Sequence, residues 1–194
     1  MALAQRDTQH HTYGEYLTWP DDQCGELIDG IAYIREPPGP SWNHQQLVGG
    51  LNRQIGGALE GKPCSVCMAP LDVRLPKSDE ADEQIDTVVQ PDVFIVCDHY
   101  KIEPRGLRGA PDWLAEVLSP STASHDRLVK LPVYERAGVG EVWLIDPTNL
   151  TLAIYLLQDG RYGHPTILQL KGQTALTAVP GVTIDWDRLL SQLQ

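Results

Sequence analysis

The order of apolar and polar positions divides the chain into short helices and strands. Thr12–Leu17 reads as a brief helix capped by Thr12 and closed by the turn-forming run Trp19-Pro20-Asp21-Asp22. GELIDGIAYIREP predicts two strands about Asp29-Gly30, a strong two-residue hairpin turn, with Glu26 near the start of the first. After a loop at Pro37–Pro40, Leu47, Leu51, Ile55 and Leu59 recur every four residues. They mark one stripe of an amphipathic helix, with Asn43 and Gln46 as a capping box and Gly61 at its exit. His44, near the start of that helix, reads as a surface residue. Cys64–Leu75 reads as a strand in which Met68, Pro70, Asp72 and Arg74 share one face, so Asp72 and Arg74 form a polar side.

Val88–Cys97 and Trp113–Leu118 are near-continuous apolar runs, the pattern of central strands covered on both faces. Each contains one acid. Alternation sends Asp92, Phe94 and Val96 one way, and Leu114, Glu116 and Leu118 one way on the second run. A lone ionised carboxylate in such surroundings costs several kcal/mol unless it is paired or metal-bound. Two on consecutive strands are better explained by a shared cation, which converts repulsion into coordination.

The next stretch, HDRLVKLPVYERAG, reads as a helix capped by Ser124, disturbed by Pro132 and stopped by Gly138. Asp126, Lys130 and Tyr134 lie four apart on it; taken alone they read as a solvated stripe with an ordinary Asp126–Lys130 pair. EVWLID, TLAIYLLQ, Thr166–Leu170 and the segment about Leu176 are further strands, with a turn at Asp159-Gly160. A short helix over Asp185–Leu193 closes the chain.

At 194 residues the chain is expected to form one domain over 12–194, with Met1–His11 disordered. No run approaches the roughly eighteen apolar residues a membrane span needs, and the start lacks a signal-peptide pattern, so a cytoplasmic location and no membrane partner are expected. In that setting Cys24, Cys64, Cys67 and Cys97 read as free thiols. Cys64-Ser-Val-Cys67 has the spacing of half a zinc site, but no second such pair exists and a strand puts the two on opposite faces. GGALEGK has phosphate-loop spacing, yet Pro63 replaces the required Ser or Thr and the segment ends a helix instead of starting one. The net charge of −11 opposes a generic nucleic-acid binder. Taking away the five acids of the SDEADEQID segment, read as a solvated loop, still leaves −6.

The quoted segments, with His44-Gln45, PLDVRL, QPDVFIVCD, PDWLAEVLSPST, DRLVKLPVYERAGVGEVWLIDP and the closing PGVTIDWDRL, resemble a bacterial restriction endonuclease family formerly catalogued as a domain of unknown function. That family belongs to the PD-(D/E)XK restriction-endonuclease-like superfamily. The resemblance spans residues 12–190 and implies an α+β fold: a mixed central sheet flanked by helices, with an N-terminal hairpin and extra C-terminal strands. It assigns Pro91-Asp92 to the family's Pro-Asp pair and Glu116, 24 residues on, to its second acid. Leu118 stands where the lysine of the signature belongs. In families of this type that lysine moves to the following helix, which makes it Lys130. Tyr134 and Glu26 match further family positions.

What the resemblance implies is a divalent-metal endonuclease acting on DNA as a homodimer. Asp92 and Glu116 would hold Mg²⁺ or Mn²⁺, with Asp72 or Glu26 supporting a second ion or a water. Lys130 would orient the water or offset transition-state charge. Two rival readings stand beside it. One retains the fold as a binding or regulatory module without catalysis. The other pairs Asp92 and Glu116 with Arg74, Arg105 or Arg127 and needs no metal.

Overall fold

The computed structural model describes residues 2–20, 25–36 and 39–193; Cys24, the Asp21-Asp22 turn and Pro37-Pro38 lie outside the described residues. Its mixed α+β architecture is the one expected. One sheet runs in the order β1 (Ala2–Gln5), β3 (Ile31–Glu36), β2 (Gly25–Ile28), β6 (Val88–Val89), β5 (Val73–Arg74), β9 (Gly106–Arg108) and β8 (Ile102–Glu103). A second runs β13 (Arg161–Tyr162), β12 (Thr151–Gln158), β11 (Glu141–Asp146), β10 (Trp113–Val117), β7 (Val93–Val96) and β4 (Ser65–Met68), with β14 (Thr166–Gln169) also on β12. A small pair, β15 (Gln173–Ala175) with β16 (Thr183–Asp185), and the helices α1 (Tyr13–Tyr16), α2 (Trp42–Leu59), α3 (Ala123–His125), α4 (Leu131–Ala137) and α5 (Trp186–Leu190) complete the fold.

The second sheet is covered on both faces because its strands alternate apolar residues to each side. Leu47, Leu51, Ile55 and Leu59 of α2 pack against Val93 and Ile95 of β7 and Trp113, Ala115 and Val117 of β10. The opposite alternation, Phe94, Val96, Leu114 and Leu144, packs with Val133 and Tyr134 of α4. Glu116 falls in this second set between Leu114 and Leu118, so period two aims it at the α4 side. β10 pairs parallel with β11 and antiparallel with β7.

Two predicted strands are each split between the sheets. Cys64–Leu75 becomes β4 in the second sheet and β5 in the first, and Val88–Cys97 becomes β6 in the first and β7 in the second. The breaks fall at Ala69-Pro70 and Gln90-Pro91, where proline supplies no ladder N–H. The Asp29-Gly30 hairpin forms as predicted, both residues adopting positive φ (49° and 79°). The cap of α2 lies two residues earlier than expected: Ser41, not Asn43, caps it, accepting the His44 N–H at 3.2 Å. α3 starts after Thr122, not Ser124, and runs through one wide π turn, Asp126–Lys130, into α4. Pro132 follows that turn directly; without an N–H it cannot close a regular bond to the Leu128 carbonyl. Gly138, at φ 86°, ends α4.

The N-terminal stretch expected to be disordered contains β1, paired antiparallel with β3. It continues to His11, which is buried between Asp7 (Nε2 to Oδ1, 2.9 Å) and Glu15 (Nδ1 to Oε2, 3.0 Å). The hydrogen bond to Asp7, with the help of Glu15, outweighs burial and raises the His11 pKa above its ordinary 6.5. The charged imidazolium therefore contributes stability that is fully present below pH 6.5 and lost as pH rises through the raised value. His11→Gln is expected to lower the thermal midpoint at pH 6 and to lower it less at pH 9. A midpoint difference that grows with pH would reverse the assignment.

The thiols and the acidic loop depart from expectation. Ser65 pairs with Val96, which sets Cys64 opposite Cys97, and these two form a disulfide instead of remaining free. Cys67 is a free thiol that packs on the α4 side while Cys64 packs on the α2 side, so the Cys-x-x-Cys segment is not a metal knuckle. In the SDEADEQID segment Asp82 is drawn inward to Arg74, whose side chain is fully buried and also binds Glu103 at 2.9 Å. No helix among the described residues is long and apolar enough to cross a membrane.

Candidate active site

Both crossings between the sheets open onto one cavity of about 470 Å³, lined by Ala69 and Pro70 at the first and by Gln90 and Asp92 at the second. Glu26, Glu116, Asp126 and Lys130 lie in its wall, together with His44 at the start of α2 and the Ser119–Thr122 loop after β10. The acids predicted on neighbouring strands thus converge, because the antiparallel register of β7 and β10 places the residue before Val93 beside the end of β10.

Each of the two acids is pinned through one oxygen. Asp92 Oδ2 accepts the Val117 N–H at 2.8 Å, and Nε2 of His44 lies 3.2 Å from the same atom. Glu116 Oε1 contacts Lys130 Nζ at 2.6 Å and accepts the Tyr134 hydroxyl. The other Glu116 oxygen, Oε2, has only a long contact of 3.4 Å to the Asp92 N–H. Asp92 keeps about a fifth of its side chain exposed, whereas Glu116 is almost entirely buried.

Lys130 is the hub. Its Nζ lies 2.8 Å from Glu26 Oε1 as well as against Glu116, and Asp126 is 4.0 Å away. The solvated stripe that spacing alone suggested is buried: Asp126, Lys130 and Tyr134 are all closed off from solvent. Glu26 is taken up by Lys130, by the Gln90 N–H at 3.0 Å and by His125 Nε2 at 3.3 Å. Burial opposes the charge on Glu26, but Lys130, His125 and the Gln90 N–H outweigh it and bring the carboxyl to about 2. One ammonium cannot neutralise every acid around it. Burial, with Asp92, Asp126 and Glu26 adding repulsion against the pull of Lys130, raises Glu116 to about 8. Burial likewise raises Asp126 to about 6. Lys130 itself is held charged well above its ordinary range: burial works against it, and Glu116 and Glu26 prevail. The Tyr134 phenol is pushed far up by burial and the Glu116 charge, so it acts as a donor only.

Asp72 does not reach the cavity. Its Oδ1 accepts the Gln90 amide at 2.8 Å, and Tyr13 and Tyr16 hydroxyls contact it at 3.4 Å. Glu26, expected to support a second ion or a water, instead anchors Lys130. The arginine alternative finds no support: Arg74 binds Asp82 and Glu103, Arg127 lies against Asp146, and among the described residues no arginine pairs with Asp92 or Glu116. His125 and Gln90 join the site although spacing did not single them out, as do His44, read as a surface residue, and Asp126, read as part of a solvated stripe. The one available signal for Asp126 was its position one turn before Lys130.

The donor set suits a hard divalent cation. Two carboxylates, each fixed through one oxygen, leave the other for an ion, and Mg²⁺ keeps most of its waters when one or two carboxylates bind it. Among the described residues no three His, Cys, Asp or Glu side chains converge to hold an ion, so water would complete the shell.

Known proteins resemble this chain over most of its length. The profile of the Uma2 family, described as "Putative restriction endonuclease", matches residues 13–187. A crystal structure of a "putative nuclease belonging to DUF820" from Anabaena variabilis superposes with a TM-score of 0.72. It covers 93% of this chain and 97% of that one at 19% identity, a likeness of fold. An uncharacterized protein of Synechocystis is 26% identical over 148 residues, covering 75% of this chain and 73% of its own length.

Proposed function

The chain belongs to the Uma2 family, and on that premise we propose that it is a divalent-metal-dependent endonuclease that hydrolyses DNA phosphodiester bonds. The observation that carries the reading is the meeting of Asp92, Glu116 and Lys130 at one cavity, with Lys130 Nζ 2.6 Å from Glu116. Asp92 and Glu116 would hold Mg²⁺ or Mn²⁺ in this reading. The ion's chemistry is to polarise the scissile phosphate and lower the pKa of a bound water.

The chain's own residues do the rest. Lys130, kept positive by Glu26 and Glu116, serves as a fixed charge against the negative charge that builds on the phosphate, and not as a base. It stands in for the lysine that Leu118 displaces, reaching the same acid from the helical segment after β10. Tyr134 and the Val117 N–H hold Glu116 and Asp92 in place, so that little reorganisation accompanies the reaction. A homodimer would let two such sites cut both strands, and nucleases of this kind often pair.

The direct test is incubation of purified protein with plasmid DNA in Mg²⁺, Mn²⁺ or EDTA, together with calorimetric titration of each metal. Cleavage that EDTA stops, and metal binding in the millimolar range or tighter, are expected. Lys130 and Tyr134 already hold one Glu116 oxygen without any ion, and this favours the second reading, a binding module without catalysis. Absence of both metal binding and cleavage would select it.

A further inference from the structure

We propose that the site takes its DNA as an unpaired strand, with Trp42 as the platform on which a base stacks; the inference rests on the nuclease reading above. Three observations lead to it. The cavity of about 470 Å³ matches pockets that enclose a single small ligand, roughly 300–1,000 Å³. Its working groups lie in the wall and are buried: Glu26, Glu116 and Lys130 are each 3% exposed or less. Unpaired nucleotides are the least costly to draw into a pocket toward such groups.

Duplex and single-strand binders alike draw affinity from Lys and Arg on phosphates. Among the described residues Lys130 is the one Lys or Arg in the cavity wall, it is already paired with Glu26 and Glu116, and the chain carries −11 overall. Affinity must come from the metal, from the hydroxyls of Ser119, Ser121 and Thr122, and from contacts to bases.

Trp42 supplies the last. It follows Ser41, which lines the cavity, and shares a helix face with Gln45, three residues on, which also lines it. It is 62% exposed in the first turn of α2, although Trp is a large apolar side chain that folding ordinarily covers. A π-face of this kind binds any unpaired base and offers nothing to a base already stacked in a duplex.

The test uses the full chain with fluorescently labelled oligo-dT and the matching dA·dT duplex. Binding is read by anisotropy in Ca²⁺ and cleavage by gel in Mg²⁺. The single strand is expected to bind about tenfold tighter than the duplex, and Trp42→Ala to lower single-strand affinity by about tenfold with duplex affinity unchanged. Trp42→Phe should keep most of the affinity. Tyr100→Ala, which alters an even more exposed aromatic away from the cavity, should match the wild type. Equal binding or cutting of duplex, or a Trp42→Ala variant that binds the single strand as the wild type does, overturns the proposal and leaves the nuclease reading intact. Trp42-dependent binding of the single strand without any cleavage does the reverse. No binding of either DNA overturns both.

Discussion

Asp92→Ala and Glu116→Ala are each expected to lower metal-dependent cleavage by at least about a hundredfold, and the two together to lower it no further. In the proposed mechanism the acids would act as a unit through one ion, so losing either would remove the ion and with it both the Lewis acid and the activated water. Calorimetry should show metal binding lost in both variants. Circular dichroism should remain that of the wild type for Asp92→Ala, because the Asp92 side chain is partly exposed and its contacts are two hydrogen bonds. Glu116→Gln is the better control for the buried partner. It keeps the shape and one acceptor for Tyr134 but carries no charge for an ion. Cleavage at wild-type rate by the Asp92→Ala, Glu116→Gln double variant would end the metal-nuclease reading.

Lys130→Met is expected to destabilise the fold by about 3–5 kcal/mol, the cost of removing one partner from a buried ionic cluster. The methionine fills the apolar stem of the lysine but leaves Glu26 and Glu116 facing each other with no cation between them. Glu26 suffers most, since Lys130 is the leading influence that holds its carboxyl near 2 against burial. Urea unfolding of the variant gives the loss directly. Adding Glu26→Gln to Lys130→Met should recover part of it, because the second change removes the charge that the first left unpaired. A Lys130→Met protein within about 1 kcal/mol of the wild type would mean that the lysine is solvated and does not bridge the acids. The same variant should show no cleavage, but only the stability measurement separates the lysine's structural contribution from its catalytic one.

Much of the site was legible because its chemistry conflicts with its surroundings. An acid inside an apolar run announces that something offsets its charge, and Asp92 and Glu116 were found on that ground alone. Lys130 was not. On a helix of alternating character its spacing with Asp126 and Tyr134 describes a solvated face equally well, and only resemblance to a family singled it out. Asp72, read from its strand as part of a polar side and given an ion-supporting role only by the family resemblance, lies against Tyr13, Tyr16 and Gln90. The Cys64–Cys97 disulfide was missed for a related reason: the residues are 33 apart, and which strands pair is not written in either one.

What the sequence by itself determined was the local alternation. Period two and period four assigned β7, β10 and α2, chose which side chains face which layer, and set Glu116 among side chains on the face opposite α2. What only the tertiary structure decided was meeting across distance. The antiparallel register of β7 on β10 joined the two acids. The wide turn before Pro132 brought Lys130 against Glu116 and Glu26, and the crossing between sheets opened the cavity. The physical reason is range: backbone geometry repeats every two to four residues and so marks the sequence locally, whereas pairing and ion-pair partners are chosen by the free energy of the whole packed chain.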